Sequence, residues 1–260
     1  MEYFIINFTK FMIVFSRITA MCFIATFFGS ESLIPMVRFA LAFLLSIVIF
    51  PVVHDMLDMV PLNFFEYGGL LISEVIIGIG IGFCITISFS VFQLAGQFFT
   101  VQMGFGASEV YDPMSQISIP LIGQYLYYIA MLVFIATLGP LFIIKAVYHS
   151  FELMNAGNFM NYSFVTGEYG IIRLFSNMFI TGLRIAMPMI AALFLVTVAL
   201  GLMGKASPQM NLLMVGFPIS ITVSFLLLLI LLPIMVVVFG EYFYDMFKDL
   251  WFMMVGVSNG

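Results

Sequence analysis

Few side chains in this sequence can do acid–base or ionic chemistry, and several of them lie in apolar surroundings. Glu74 sits at the head of the charge-free run 75–108. An acid at membrane depth is costly and serves either as a proton or ion site or as half of a pair. Arg17, Arg38 and Arg184 are its possible partners, and a helix-end position near the interface is a further alternative. Glu109 and Asp112 offer two carboxylates to a cation, but they lack calcium-loop spacing, so no metal is expected there. Gln93 and Gln97 are four residues apart and share a helix face. With Ser88 and Gln102 they either hold helices together or line a wet path.

Other features exclude chemistry. Gly78, Gly80 and Gly82 are followed by no Lys-Ser/Thr pair, which rules out a phosphate loop. Gly78 and Gly82 instead match the small-xxx-small pattern of close helix packing. Cys22 and Cys84 lie in apolar runs and read as small core side chains. His54 and His149 stand at segment ends, suited to an interface. No nucleophile–histidine–acid set or metal-ligand cluster is visible, so no enzyme and no cofactor is expected.

The elements that position these residues are set by composition. The chain has 260 residues, is 63% hydrophobic and 8% charged, and has a mean hydropathy of +1.20. Soluble domains carry roughly 25% charged residues. The runs 75–108, 113–144 and 206–240 are charge-free, and each exceeds the roughly 20 residues that cross a bilayer. The expected class is an all-α polytopic membrane protein of about six long kinked helices. Its segments run near 4–28, 36–54, 67–100, 120–149, 170–204 and 212–247, with Pro188, Pro218 and Pro233 as kink points. The first reads as a retained span rather than a cleaved leader. A net charge of −5 leaves no footprint for nucleic acid.

Two details resist a simple set of crossings. Segments of 34 or 35 residues correspond to roughly 50 Å of helix, beyond a hydrocarbon core of about 30 Å. Lys205 and Lys248 both favour the cytoplasmic side, whereas the acid-only loops 54–66 and 150–169 favour the opposite side. These placements conflict, so one span is not a simple crossing.

The stretch 96–118 is glycine-rich, polar and acid-bearing between two apolar runs. Irregular polar backbone in a membrane protein sits at the water interface, lines a wet cavity, or is packed inside protein. Its glycines permit unusual backbone angles, Asp112-Pro113 favours a turn, and Met103 and Phe105 place bulk on that backbone.

Two blocks carry a family resemblance. Gly96-Gln97, Gln102-Met103-Gly104-Phe105 and Asp112-Pro113 form the first; Gly204-Lys205-Ala206-Ser207-Pro208-Gln209-Met210-Asn211 with Gly216-Phe217-Pro218 forms the second. In order and spacing they resemble the flagellar biosynthetic protein FliR family, the R/T export-gate subunits of type III secretion, over nearly the whole chain. Met103 favours the flagellar branch over the virulence branch. Gly139-Pro140 stands where that family has a Gly-His pair, and Ser220 where it often has a lysine.

The resemblance implies a protein-export gate in the bacterial inner membrane, within the flagellar basal body. Its partners would be the P and Q subunits, the B subunit, the A-type export protein, the basal-body ring and unfolded export substrates. Residues 1–168 would be P-like, with a pore loop at 101–119, and 169–260 a Q-like helical hairpin. Met103, Gly104, Phe105, Gly106, Glu109, Tyr111, Asp112 and Pro113 would plug the pore. Glu74, Gln93, Gln97 and Gln102 would line it or pack helices. Lys205, Pro208, Gln209 and Asn211 would face the cytoplasmic entrance. The competing reading is a stand-alone proton- or sodium-coupled transporter using Glu74 or the Glu109/Asp112 pair.

Overall fold

A computed structural model describes residues 2–28, 34–57, 63–104, 121–153, 170–207 and 212–258. Among these residues there are seven α-helices and no strand: α1 (Glu2–Ile24), α2 (Pro35–Val53), α3 (Phe64–Met103), α4 (Leu121–Ala136), α5 (Gly139–Leu153), α6 (Ile171–Ala206) and α7 (Leu212–Ser258). A short 3-10 turn, His54–Met56, follows α2. In hydrocarbon only a helix satisfies every backbone group within its own segment, and this composition leaves no other option.

Five helices are long and apolar enough to cross a membrane, and α4 with α5 adds a sixth span if the pair counts as one. The expected six segments are therefore present, with two corrections. The fourth is broken at Thr137 and Leu138, and Leu138 adopts a left-handed φ of 60°. The last continues to Ser258 rather than ending near 247. Pro188, Pro218 and Pro233 lie inside α6 and α7, which run through them as helix. Pro51 likewise lies inside α2. At 40, 36 and 47 residues, α3, α6 and α7 are about 60, 54 and 70 Å long.

The chain divides into two compact units. The first contains residues 1–88, 138–176 and 243–260. In it, α1 and α2 form an antiparallel hairpin zipped by aromatic edges: Phe11 meets Phe43 and Phe50, and Phe15 meets Phe39. The beginning of α3 then runs parallel to α1. Tyr67 donates to the Thr9 carbonyl at 3.1 Å, and Thr86 to that of Ile24 at 2.8 Å. A polar layer joins Asn7, Lys10 and His54, with Lys10 Nζ donating to the His54 carbonyl.

Gly78 and Gly82 make the close approach of α1 and α3 possible. A Cβ on Gly78 would collide with the Arg17 carbonyl oxygen, and one on Gly82 would stand 2.9 Å from that of Met21. This is the packing the four-residue spacing predicts. Cys22 and Cys84 are buried and free, as small core side chains should be.

The same interface holds the buried charges. Arg17 Nε donates to Glu74 Oε2 at 2.5 Å, and the two side chains are 2% and 5% exposed. Arg17 Nη1 donates to Ser150 Oγ at 3.0 Å, and the guanidinium lies 3.9 Å from the Phe151 ring centroid. One arginine thus ties α1, α3 and α5 together. Of the three arginines weighed as partners, Arg17 holds Glu74.

The second unit contains residues 89–137 and 177–242. The later part of α3 is its centre. Phe89 packs on Tyr127 and Phe134 of α4, and Phe92 on Phe239 of α7 at 4.5 Å. Gly182 of α6 is covered by Leu94. Of the most apolar part of α3, 67% is buried, against 17–28% for the other four single spans. The outer helices therefore present apolar faces outward, as spans in lipid or in an assembly do.

Removing one partner of a buried ion pair strands the other charge and typically costs about 3–5 kcal/mol. Arg17→Ala is expected to lower the detergent-solubilised protein's stability by about that amount, whereas Arg17→Met with Glu74→Leu recovers most of it. Thermal unfolding of the single and double variants checks this. Equal loss in both would assign the destabilisation to packing alone.

Candidate functional site

The site is built where α3 ends. Met103 is the last residue of α3 and is fully buried. Gly104 follows with φ +80°, in the left-handed region, and its N–H donates to the Val101 carbonyl at 3.2 Å. Glycine is the usual residue for ending a helix this way, because a Cβ is penalised there. A second constraint acts on the same atom: a Cβ on Gly104 would lie 2.7 Å from Cδ1 and Cε1 of Phe217.

Phe217 belongs to the first turns of α7, so the two motif blocks meet in space. Between them is a cavity of about 240 Å³, lined by Gln102, Met103 and Gly104, by Thr197 and Leu200 of α6, and by Gly216, Phe217 and Ser220 of α7. Its walls are mostly apolar, with the Gln102 amide and the Thr197 and Ser220 hydroxyls the polar groups lining it. Thr197 Oγ1 is committed to the Leu193 carbonyl at 3.0 Å. Such a pocket can hold a bulky apolar side chain. It has no acid–base pair to do chemistry.

A second contact fixes α3 against α4. A Cβ on Gly96 would collide with the backbone of Gly123, and one on Gly123 would lie 3.0 Å from the Gln93 carbonyl oxygen. The backbones cross with nothing between them. From Gly96 to Gly104 is about 12 Å of helix, so the stretch 105–120 leaves and rejoins helices whose spacing this crossing sets.

The sequence-derived residues divide as follows. Gln102, Met103 and Gly104 come together here. Gln93 is half-buried beside the Gly123 contact, and Gln97 is exposed on α3. Glu74 belongs to the other unit, in its pair with Arg17. Lys205 is exposed at the end of α6, where the Ser207 N–H donates to the Met203 carbonyl. Phe105, Gly106, Glu109, Tyr111, Asp112 and Pro113, and likewise Pro208, Gln209 and Asn211, lie outside the described residues. Thr197, Leu200 and Gly123 were missed, since nothing in their local sequence sets them apart from other apolar-segment residues. Phe217 stood in a quoted motif, but its role as the ring over Gly104 was not legible.

Among the described residues no three His, Cys, Asp or Glu side chains cluster to hold a metal. Fold and site together define an all-α polytopic membrane protein whose site consists of helix ends, glycine contacts and an apolar pocket. The family model described as "Bacterial export proteins, family 1" matches residues 8–246, and the chain belongs to that family. The flagellar biosynthetic protein FliR of Bacillus subtilis is 32% identical over 239 residues, covering 91% of each chain. FliR of Pectobacterium carotovorum is 28% identical, covering 91% of this chain and 88% of that one. FliR of Aquifex aeolicus is 28% identical, covering 89% and 88%.

Gly104→Ala introduces a left-handed alanine, at about 1–2 kcal/mol for the backbone alone. Its expected effect on stability is partly relieved by Phe217→Ala, so the double variant loses less than the sum of the singles. Unfolding of the four proteins in detergent measures the coupling. Strict additivity would mean that the ring does not bear on Gly104.

Proposed function

We propose that this chain is the R-type subunit of the flagellar protein-export gate. It assembles with P and Q subunits in the bacterial inner membrane, within the flagellar basal body, and forms the channel through which unfolded flagellar proteins leave. It is not an enzyme in this reading, and the energy for export comes from other components. The B subunit, the A-type export protein and the basal-body ring are its further partners. The observation that carries the proposal is the meeting of Gln102-Met103-Gly104 with Gly216-Phe217 around one apolar pocket. Two sequence blocks that identify the family converge where a pore loop would be anchored. The names of the relatives support the same reading.

Residues 1–168 act as the P-like part and 169–260 as the Q-like hairpin, a reading supported by α6 and α7 being two long helices separated by five residues of sequence. The plug is assigned to the stretch beginning at Met103 and Gly104, whose closing bulk comes from Phe105 and Tyr111. Helices of about 54 to 70 Å suit a subunit that extends beyond the bilayer plane within an assembly. The transporter alternative loses support. Glu74, one of its two candidate coupling sites, is committed to a buried ion pair with Arg17.

Co-expression with the P and Q subunits, followed by detergent purification, is expected to give one complex that contains all three. A chain that remains separate would overturn the gate reading. Within the assembled complex, deletion of 105–118 is expected to produce a standing ion leak across the membrane. Unchanged conductance would remove the plug assignment and leave the subunit assignment intact.

A further inference from the structure

We propose that the groove between α5 and the last turns of α7 binds an anionic phospholipid. Its phosphate is held by Lys145 and Lys248, and its upper acyl chain lies on the aromatic floor. The groove lies within the first unit, measures about 330 Å³, and is lined on α5 by Phe142, Lys145 and His149 and on α7 by Phe247, Lys248 and Trp251. On α5 these residues recur at three- and four-residue spacing, and on α7 Trp251 lies four residues after Phe247 and three after Lys248, which places each set on one side of its helix.

The floor is a ladder of rings. Phe142 stacks on Phe247 with centroids 5.0 Å apart and planes 28° apart, and His149 meets Trp251 edge-on at 4.7 Å. Lys145 Nζ lies 5.6 Å from the Phe142 centroid, so its stem runs along this floor with its charge at the rim. Both lysines are exposed. Apolar stems with charged tips beside Trp and Phe match the chemistry of a membrane interface, where a phosphate lies above the start of a chain.

Charge argues for the sign of the ligand. The chain carries 13 acids against 8 basic residues, yet two of its four lysines line this one groove. Among the described residues neither lysine makes a salt bridge. The nearby acids are engaged or shared. Glu152 holds His149 at 3.0 Å, while partly buried Asp249 interacts electrostatically with both Arg173 and Lys248, with Asp245 one turn before it. A basic rim over an apolar floor between helices is the arrangement that takes an anionic headgroup with its chain. A free anion would leave the floor uncovered.

The test uses the full chain in a neutral detergent doped with phosphatidylglycerol, phosphatidylcholine or glycerol phosphate alone. Two lysines at about fivefold each predict a roughly 25-fold preference for phosphatidylglycerol over phosphatidylcholine, read as retained lipid by native mass spectrometry. K145Q/K248Q should abolish the preference and K145R/K248R should keep it. In the unmodified protein, phosphatidylglycerol should slow reductive methylation of Lys145 and Lys248 while leaving Lys205 unaffected, a readout that needs no variant to fold. Equal retention of both lipids, a preference surviving in K145Q/K248Q, or protection by glycerol phosphate alone would overturn the proposal. So would lysines protected by an added acidic peptide but by neither lipid, which would assign the groove to a protein partner.

Discussion

Helices in lipid gain little from hydrophobic burial against one another, because the surrounding chains are as apolar as leucine. Their association depends on close backbone approach and on polar contacts, and this chain meets that constraint through α3. Gly78 and Gly82 let α1 lie against it, and Gly96 lets α4 cross it with no side chain between. Each substitution at these points sets a Cβ against backbone atoms, which cannot turn aside as a side chain can. The glycines therefore fix separation and register, while rings such as Phe89, Phe92 and Phe99 fill the remaining volume.

The polar contacts follow the same logic. Arg17 satisfies Glu74, Ser150 and the face of Phe151 from one position, so a charge unfavourable in hydrocarbon becomes a three-helix connection. At the end of α3 the balance reverses. There the polar groups are few, the pocket is mostly apolar, and a left-handed glycine rather than a charge sets the geometry. The first arrangement resists change. The second depends on one ring and one backbone angle.

Much of this was legible in the sequence, for identifiable reasons. Long apolar runs define spans through length alone, and the Gly78–Gly82 spacing predicted close packing because helical periodicity is short-range. The shortlist for Glu74 contained Arg17, but choosing it required knowing that α1 and α3 run parallel in register. The break at Thr137–Leu138 is marked by the Gly139-Pro140 pair that follows it, a helix-breaking signal visible in the sequence; what local sequence does not show is that Leu138 takes a left-handed angle that its residue type disfavours. Gly123 looked like any glycine in an apolar segment, since its partner Gly96 is distant along the chain. Phe217 was visible as part of a motif, and only folding could place it over Gly104.

The Arg17–Glu74 pair also sets a timetable for synthesis. Its partners are 57 residues apart, so α1 leaves the ribosome well before Glu74 exists. At about 5–20 residues per second the interval is roughly 3 to 11 s. During it the first helix carries an unneutralised guanidinium, a residue that translocon scales charge at about 2.5–3.5 kcal/mol when it sits at the helix centre. The first span therefore bears that cost alone until the third helix arrives and Glu74 pairs with Arg17.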